Sequence, residues 1–428
     1  MTPRWPRGLT IPFSRPLDGG TLGHMRIIRA AQVLTGRPGE VIVDGEVLID
    51  EGLIVSVGPR GSAGEADDVL DLPGHTVLPG LIDAHVHLGF DDKVDPVTRR
   101  SPESDHHLLL RMAENARKLV SAGVTTARDL GGRGFLDLVL RDAVEEGLTV
   151  GPHIVAATRP ITITGGHCWY MGGEADDEPA IRRVARENLR AGADCLKVMA
   201  SGGLMTPGAP PSWVPQYNAA QLRVVVEEAA TRGKGVAAHA HAHASIRDAV
   251  EAGVTTVEHC SFFTSAGHRY DAELADLVAA SGTYVCPTVH GATERIREVH
   301  GEAMLDAWLA GVAAMRDAGI KVIAGTDAGF AVGGIPNATD GYVGGLETFV
   351  SVGYRNAEVI ELATVLAADA CGVGAVAGSL DPGKRADLVA VAGDPLARIS
   401  DLRDPALVLV SGRSVGQADV DTVTPSVG

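Results

Sequence analysis

The sequence predicts an α/β chain, a (β/α)8 TIM barrel carrying a small β-sandwich domain built from both chain ends, and three observations predict it. From Thr76 onward, eight apolar strand-like runs alternate with amphipathic helical stretches, the sequence form of a parallel strand–helix repeat. Residues 25–80 alternate β-branched and polar side chains in short runs broken by Gly and Pro, as short antiparallel strands do. A turn at Asp381-Pro382-Gly383 leads into further strands over 388–391 and 407–411. For a chain of 428 residues, one barrel of ~250 residues with an appendage fits as well as three domains of ~150.

Taken in order, residues 1–24 read as a disordered leader: Arg4 and Arg7 are present, but Pro and Gly stand where a secretory apolar region would lie, and Met25 offers a second start. Strand runs follow at 26–29, 40–44 and 53–57. The eight barrel strands are Thr76–His87, Thr125–Asp129, His153–Ala157, Cys195–Ala200, Gly235–His241, Thr255–His259, Thr283–Pro287 and Lys321–Asp327. Helical stretches between and after them include Asp105–Ala122, Pro179–Ala191, Ala219–Arg232, Ala244–Ala252, Asp271–Ala280, Met304–Ala318 and Ala357–Cys371. Several are followed by a glycine suited to a helix C-terminus, such as Gly192, Gly253 and Gly282. An open doubly wound sheet is the runner-up, but no Gly-x-Gly-x-x-Gly opens a helix after the first strand. The expected domains are therefore a composite β domain (25–80 with 380–420) and a barrel (81–379).

Charge and cysteine content exclude several functions. Basic residues number 37 against 54 acidic ones, a net charge of −17, which disfavours a surface that gathers phosphates and so nucleic-acid or anionic-membrane partners. No apolar run approaches the ~20 residues that span a bilayer. Cys168, Cys195, Cys260, Cys286 and Cys371 lie far apart, form no C-x-x-C pair and are odd in number. Neither a disulfide framework nor a thiolate zinc knuckle is supported, and a reducing cytoplasm is the expected compartment.

In a barrel, reactive groups sit at the C-terminal ends of strands. Here those ends carry Asp83-Ala84-His85-Val86-His87, Lys197, His239, His259 and Asp327. Strand residues i and i+2 point the same way, so His85 and His87 form half a metal site. Imidazole and carboxylate suit zinc, and also manganese, iron or cobalt; four His and one Asp converging on one mouth could hold two ions. A lysine in that ring makes sense as a CO₂-derived carbamate or as a neutral base. Each element alone is weak: H-x-H arises by chance, and a strand-end lysine can simply snorkel to water. The weight lies in all of them falling in strand order. By pleat alone His239, His241 and His243 all face inward, so periodicity does not choose among them.

Together the segments 79–87 (Pro-Gly-Leu-Ile-Asp-Ala-His-Val-His), 196–203, 238–241, 257–259, 324–328 and 383–389 resemble the amidohydrolase superfamily, in its imidazolonepropionase-like and prolidase-like (Xaa-Pro dipeptidase-related) branch, over residues 25 to 415. The resemblance implies a binuclear centre of two divalent ions, zinc first among them, with His85, His87 and Asp327 on one, His239 and His259 on the other, and carboxylated Lys197 bridging. His239 is preferred because its interval of 20 residues to His259 matches the family. His241 then becomes a substrate contact or a core hydrogen-bonding residue. His167, in Thr164-Gly165-Gly166-His167, resembles that branch's substrate-facing histidine, and Cys168 reads as a packing residue more readily than as a nucleophile.

The implied function is hydrolysis of an amide C–N bond, in a dipeptide, N-acyl amino acid, carbamate or urea, by a hydroxide bridging the ions. Asp327 would accept the water's proton and His167 would polarise the carbonyl. Alternatives are a cyclic-amide hydrolase, a mononuclear deaminase, which Lys197 disfavours, or a non-catalytic binding homologue. Although only 17 of 428 residues are aromatic, Trp169, Tyr170, Trp213 and Tyr217 fall in the loops after strands three and four and are expected to meet substrate or to seal the mouth, with Met171, Met199 and Met205 nearby. Arg128, Arg133 and Arg159 are candidates for a substrate carboxylate. A homo-oligomer is compatible with the charge and common in the family.

Overall fold

The computed structural model describes residues 24–90, 103–204, 206–328 and 338–415. Apart from His24, the expected leader lies outside them, as do Met205 and residues 416–420 of the expected β domain. The chain opens with strands β1 (Arg26–Leu34), β2 (Val41–Asp50), β3 (Leu53–Pro59) and β4 (Asp68–Pro79). It continues through β5 (Leu81–Val86), α1 (Asp105–Ser121), β6 (Val124–Asp129), α2 (Leu136–Glu145), β7 (His153–Ala156), α3 (Glu178–Ala191) and β8 (Leu196–Met199). Then come α4 (Ala219–Ala230), β9 (Val236–Ala242), α5 (His243–Ala252), β10 (Thr256–Thr264), β11 (Gly267–His268), α6 (Ala272–Ser281), β12 (Tyr284–Cys286), α7 (Thr293–His300) and α8 (Glu302–Asp317). The last elements are β13 (Lys321–Val322), α9 (Ala338–Ser351), α10 (Asn356–Leu362), α11 (Val365–Ala370), β14 (Leu388–Ala392), β15 (Pro405–Val410) and β16 (Arg413–Ser414).

Both chain ends meet in one seven-stranded sheet of order β16-β15-β14-β4-β1-β2-β3. Its alternating residues Ile28, Val33, Val47, Ile54, Leu388 and Leu409 bury a common core. Two expectations are corrected here. Among the described residues these strands form a single sheet where a sandwich was expected. In addition, β1 and β4 run parallel, because the β2–β3 hairpin returns the chain to the far side of β1.

The remaining strands give an α/β architecture of parallel sheets. One sheet is β5-β6-β7; the other is β13-β12-β10-β9-β8, with β11 added antiparallel to β10. Strand residues alternate between two packing zones. Leu196, Val198, Val236, Ala238 and Val257 pack with apolar helix residues such as Ile181, Leu222 and Ile246. Ile82, Ala84, Cys195, Ala237, Cys286 and Ile323 form an inner cluster with Ala367, Ala368 and Cys371 at the C-terminal helices. Period-two burial on both faces is what parallel strands covered by helices require. Backbone hydrogen bonds also link the two sheets on both sides: Asp194 N to Ala156 O (2.8 Å) and Ile161 N to Lys197 O (2.8 Å) on one, Ala84 N to Ala324 O (3.0 Å) and Asp327 N to His85 O (2.8 Å) on the other.

The helices begin and end as their sequences dictate. Asp177 caps α3 and Asn218 forms a capping box with Gln221 on α4, while Gly192, Gly253 and Gly282 take the left-handed conformation at C-termini. The first expected barrel strand divides at Gly80, where a Cβ would overlap the Thr125 side chain, so β4 stays in the mixed sheet and β5 joins the parallel set. The expected helix Ala357–Cys371 breaks at Thr364 (φ −133°, ψ −96°) into α10 and α11.

His153 on β7 ties the two regions together. Its ring lies 2.8 Å from Glu145 Oε1, 3.1 Å from Ser411 Oγ and 3.4 Å from Asp387 Oδ1. Burial opposes charge on this ring, but the Asp387 and Glu145 carboxylates outweigh it and hold its pKa above the ordinary histidine value. A raised histidine contributes stability that is fully present below the unfolded pKa of ~6.5 and lost as pH rises through the folded value. The difference in melting temperature between the parent and His153→Gln should therefore be largest near pH ~6 and shrink towards pH ~9. A difference that stays constant over that range would refute the coupling.

Candidate metal centre

The C-terminal ends of the parallel strands carry the polar residues, and the backbone there explains how neighbouring side chains share one mouth. Strand alternation sends Lys197 and Met199, and His239 and His241, to the same side. On β10, Glu258 and His259 are adjacent, so the pleat should send them to opposite faces. His259 (φ 67°) and Cys260 (φ 49°) instead adopt left-handed backbone, as does Asp327 (φ 60°). Such conformations cost of order 1–3 kcal/mol each and persist where the surroundings over-determine them. Here they turn two predicted ligands back towards the mouth.

Among the described residues three groups of candidate ligand atoms lie within 4.8 Å of one another: His85, His87 and Asp327; His239, His241 and His259; and His85, Glu258 and Cys286. Only the first two have all their members in the lining of the cavity at the mouth. Asp327 Oδ1 lies 3.3 Å from His85 Nε2 and 3.2 Å from His87 Nε2. Each imidazole of the first group is oriented through its other nitrogen: His85 Nδ1 donates to Glu258 Oε2 (2.8 Å) and His87 Nδ1 to the Gly131 carbonyl (3.2 Å). In the second group, His239 Nε2 donates to the Gly202 carbonyl (3.0 Å), freeing Nδ1 as an acceptor, while Thr288 Oγ1 lies 3.0 Å from His259 Nδ1 and Ser261 Oγ 2.9 Å from His241 Nδ1. Fixing one imidazole nitrogen so that the other presents a lone pair is how proteins prepare metal-binding histidines. His85 Nε2 is buried without a hydrogen-bond partner, an orphan lone pair that a cation would satisfy. The donor set therefore fits divalent metal.

Lys197 lines the same cavity, of about 490 Å³. It is 1% exposed, and its side chain makes no hydrogen bond or ion pair among the described residues. Burial pushes its pKa down, which favours the neutral amine. Burial would raise the Asp327 carboxyl, but His85, His87 and Lys197 outweigh it and hold it well below the carboxylate range. His85 is lowered to about 4 by burial and by Lys197.

His167 is buried against His239, with ring centroids 4.6 Å apart, and burial chiefly lowers it to about 3. The Thr206 hydroxyl accepts from Cys168 N (3.0 Å) and stands 3.1 Å from His167 Nδ1. That hydroxyl can donate to Nδ1, which leaves Nε2–H as the ring's donor. Gly203 lies flat on the His167 ring, where any Cβ would overlap it.

His241 and Trp213 line the cavity, whereas Trp169 and Tyr170 are not among its lining residues. A 3₁₀ turn over Trp169–Met171 leaves Trp169 44% exposed and packs Tyr170 against a cluster of Phe90, Cys168, Met171 and Met199. Tyr217 is buried with its hydroxyl on the Ala175 carbonyl. His243, expected to face inward, starts helix α5 and donates from Nε2 to the Arg269 carbonyl (2.7 Å). Cys168 is buried and its thiol is pushed up to about 11 by burial, which agrees with a packing role. All three candidate arginines are engaged: Arg128 with Glu258, Arg133 with Asp105, and Arg159 with Glu187 and Asn188.

Sequence reasoning missed Glu258 and Arg128 as a unit. Arg128 donates to Ala84 O (2.7 Å), Thr256 Oγ1 (3.2 Å) and Glu258 Oε1 (3.0 Å). Thr256 Oγ1 also donates to Glu258. Burial would raise the Glu258 carboxyl, but Arg128 and His85 hold it at about 2. Asp83 was likewise missed; it accepts from Thr326 N and Oγ1 and from His85 N, joining β5 to the segment that carries Asp327. Phe263, Met304 and Trp308 complete the cavity wall.

A family model described as the amidohydrolase family matches residues 76–415. An ochratoxinase from Aspergillus niger is 28% identical over 422 residues, covering 89% of this chain and 84% of that protein. An imidazolonepropionase from Salinispora tropica is 25% identical over 373 residues, covering 81% and 85%. Among solved structures, a Xaa-Pro dipeptidase with methionine in its active site superposes with a TM-score of 0.80 at 28% identity, covering 91% of this chain and 99% of that one.

Proposed function

The chain belongs to the amidohydrolase family and hydrolyses carbon–nitrogen bonds, and from that premise we propose that it cleaves amides at a centre of two divalent ions in the mouth of a closed (β/α)8 barrel. The observation that carries the reading is the pair of three-residue ligand groups sharing one cavity with buried Lys197. His85, His87 and Asp327 would hold one ion, His239 and His259 the other, and a carbamate formed by the neutral Lys197 amine with CO₂ would bridge them. His239 is assigned over His241 because its interval of 20 residues to His259 fits the family; its Nε2 bond to the Gly202 carbonyl leaves Nδ1 free for an ion. The hydrogen bonds joining the two parallel sheets on both sides support closure of the barrel, with 81–379 as the barrel and 25–80 plus 380–420 as the composite domain.

When bound, two such ions, zinc first among the candidates, supply Lewis acidity that brings the pKa of a water towards neutrality. The chain's own groups do the rest. Asp327 takes the proton of the attacking water and returns it to the leaving nitrogen. Neutral His167, its Nδ1 held by Thr206, donates from Nε2 to the carbonyl oxygen as charge develops there. Glu258 keeps His85 in the tautomer whose Nε2 faces the mouth. Five buried, unpaired thiols support placing this chemistry in a reducing compartment.

Metal analysis tests the proposal. Protein purified under metal-replete conditions should hold about two ions per chain by this ligand count, and chelation should abolish hydrolysis. Reconstitution with metal should restore more activity with bicarbonate than in CO₂-free buffer. One ion per chain with no CO₂ effect would replace the binuclear reading by the mononuclear one.

A further inference from the structure

A run of ring contacts in the cavity joins two phenyl rings, Phe90 and Phe263, through four histidines. Phe90 stacks on His87 (4.7 Å, 26°), His87 contacts His85 (5.3 Å), His85 contacts His259 (5.2 Å), and His259 stacks on His241 (4.5 Å, 15°), which stacks on Phe263 (5.4 Å, 15°). The proposed ligands thus lie between two apolar flanks. Met199 and Cys168 extend the Phe90 flank. The Phe263 flank continues through His268 (6.3 Å), whose ring lies against Gly311 on α8, and that helix brings Trp308 to the cavity wall. At the rim, Leu204 and Trp213 line the cavity while 68% and 44% exposed. Large apolar side chains left open beside a cavity mark a surface that something covers. Four of the chain's 17 aromatic residues, Phe90, Trp213, Phe263 and Trp308, line this one cavity, and ligation requires none of them.

We infer that the substrate is an amide, carbamate or urea carrying an apolar group on both sides of the scissile carbonyl, one seated against the Phe90 flank and the other against the Phe263–Trp308 flank. This rests on the proposed function for the position of the carbonyl, above the ligands midway along the run. The cavity of about 490 Å³ lies within the ~300–1,000 Å³ that takes a drug-sized molecule. Apolar walls at both ends favour apolar groups over small polar ones.

The test compares N-phenylhexanamide with its two trimmed forms, N-phenylacetamide and hexanamide. Binding to the full chain is followed by calorimetry, and hydrolysis by product release with metal and bicarbonate present. Trimming either side should weaken binding by ~10-fold or more, as removal of several buried carbons does. Phe90→Ala should erase the penalty for trimming one side and Trp308→Ala the penalty for trimming the other. Should a variant fail to fold, the trimming series on the parent decides alone. Penalties below about twofold on either side, or both variants acting on the same side, would overturn the inference even if amide hydrolysis is observed. Two-sided binding without metal-dependent hydrolysis of any probe would uphold the inference and refute the proposed chemistry instead.

Discussion

Arg128→Met is expected to lose about 3–5 kcal/mol of folding stability, the cost of stripping the partner from a buried charge. Arg128 is 1% exposed and Glu258 is fully buried, so the carboxylate left behind would have no water to turn to. The remaining donors to it, Thr256 Oγ1 and His85 Nδ1, are neutral, and the Ala84 carbonyl would lose its donor as well. The loss should appear as a lower urea midpoint with an unchanged slope. Arg128→Met combined with Glu258→Gln should recover much of it, because a neutral amide in the same volume needs no cation. A single variant within ~1 kcal/mol of the parent would show that the charge is compensated elsewhere, since surface changes alone stay within ~0.5 kcal/mol.

This pair also marks where the sequence stops being legible. His85, His87, Lys197, His239, His259 and Asp327, which line one cavity, could be picked out as candidates because each falls at or near the end of a predicted strand, a local signal; the two-residue pleat period paired only His85 with His87. Arg128 and Glu258 meet across 130 residues, and nothing near either one announces the other. Adjacent Glu258 and His259 serve one site only because the backbone turns left-handed at His259, a conformation that pleat counting excludes. For the same reason His243 looked like an inward-facing strand residue, although helix α5 begins there. Aromatic residues misled in a different way. Trp169 and Tyr170 lie close in sequence to a predicted strand end, yet a 3₁₀ turn carries them out of the cavity lining. Phe263 and Trp308, which do line it, come from the end of β10 and from α8, where the sequence reading placed no site. The fold was legible wherever β-branched runs and terminal glycines mark boundaries locally. It failed where packing decides, as at Gly80 between β4 and β5 and in the parallel pairing of β1 with β4.

Asp327→Asn is expected to lower turnover by ~10²–10⁴-fold, the contribution of a positioned general base, while most of the metal stays bound. The substitution isolates that role for two physical reasons. Asp327 adopts a left-handed backbone at φ 60°, a region that asparagine tolerates as well as aspartate does, so the segment should hold its course and keep the Asp327 N to His85 O hydrogen bond (2.8 Å). The side-chain amide also retains an oxygen where Oδ1 now sits, 3.3 Å from His85 Nε2 and 3.2 Å from His87 Nε2, so a neutral ligand remains for the ion those histidines would share. What the amide cannot do is accept the water's proton and carry it to the leaving nitrogen. Metal content and turnover must be read on the same sample. Full metal with turnover within ~10-fold of the parent would remove Asp327 from the proton path, and the base would then have to be sought in Lys197 or a cavity histidine.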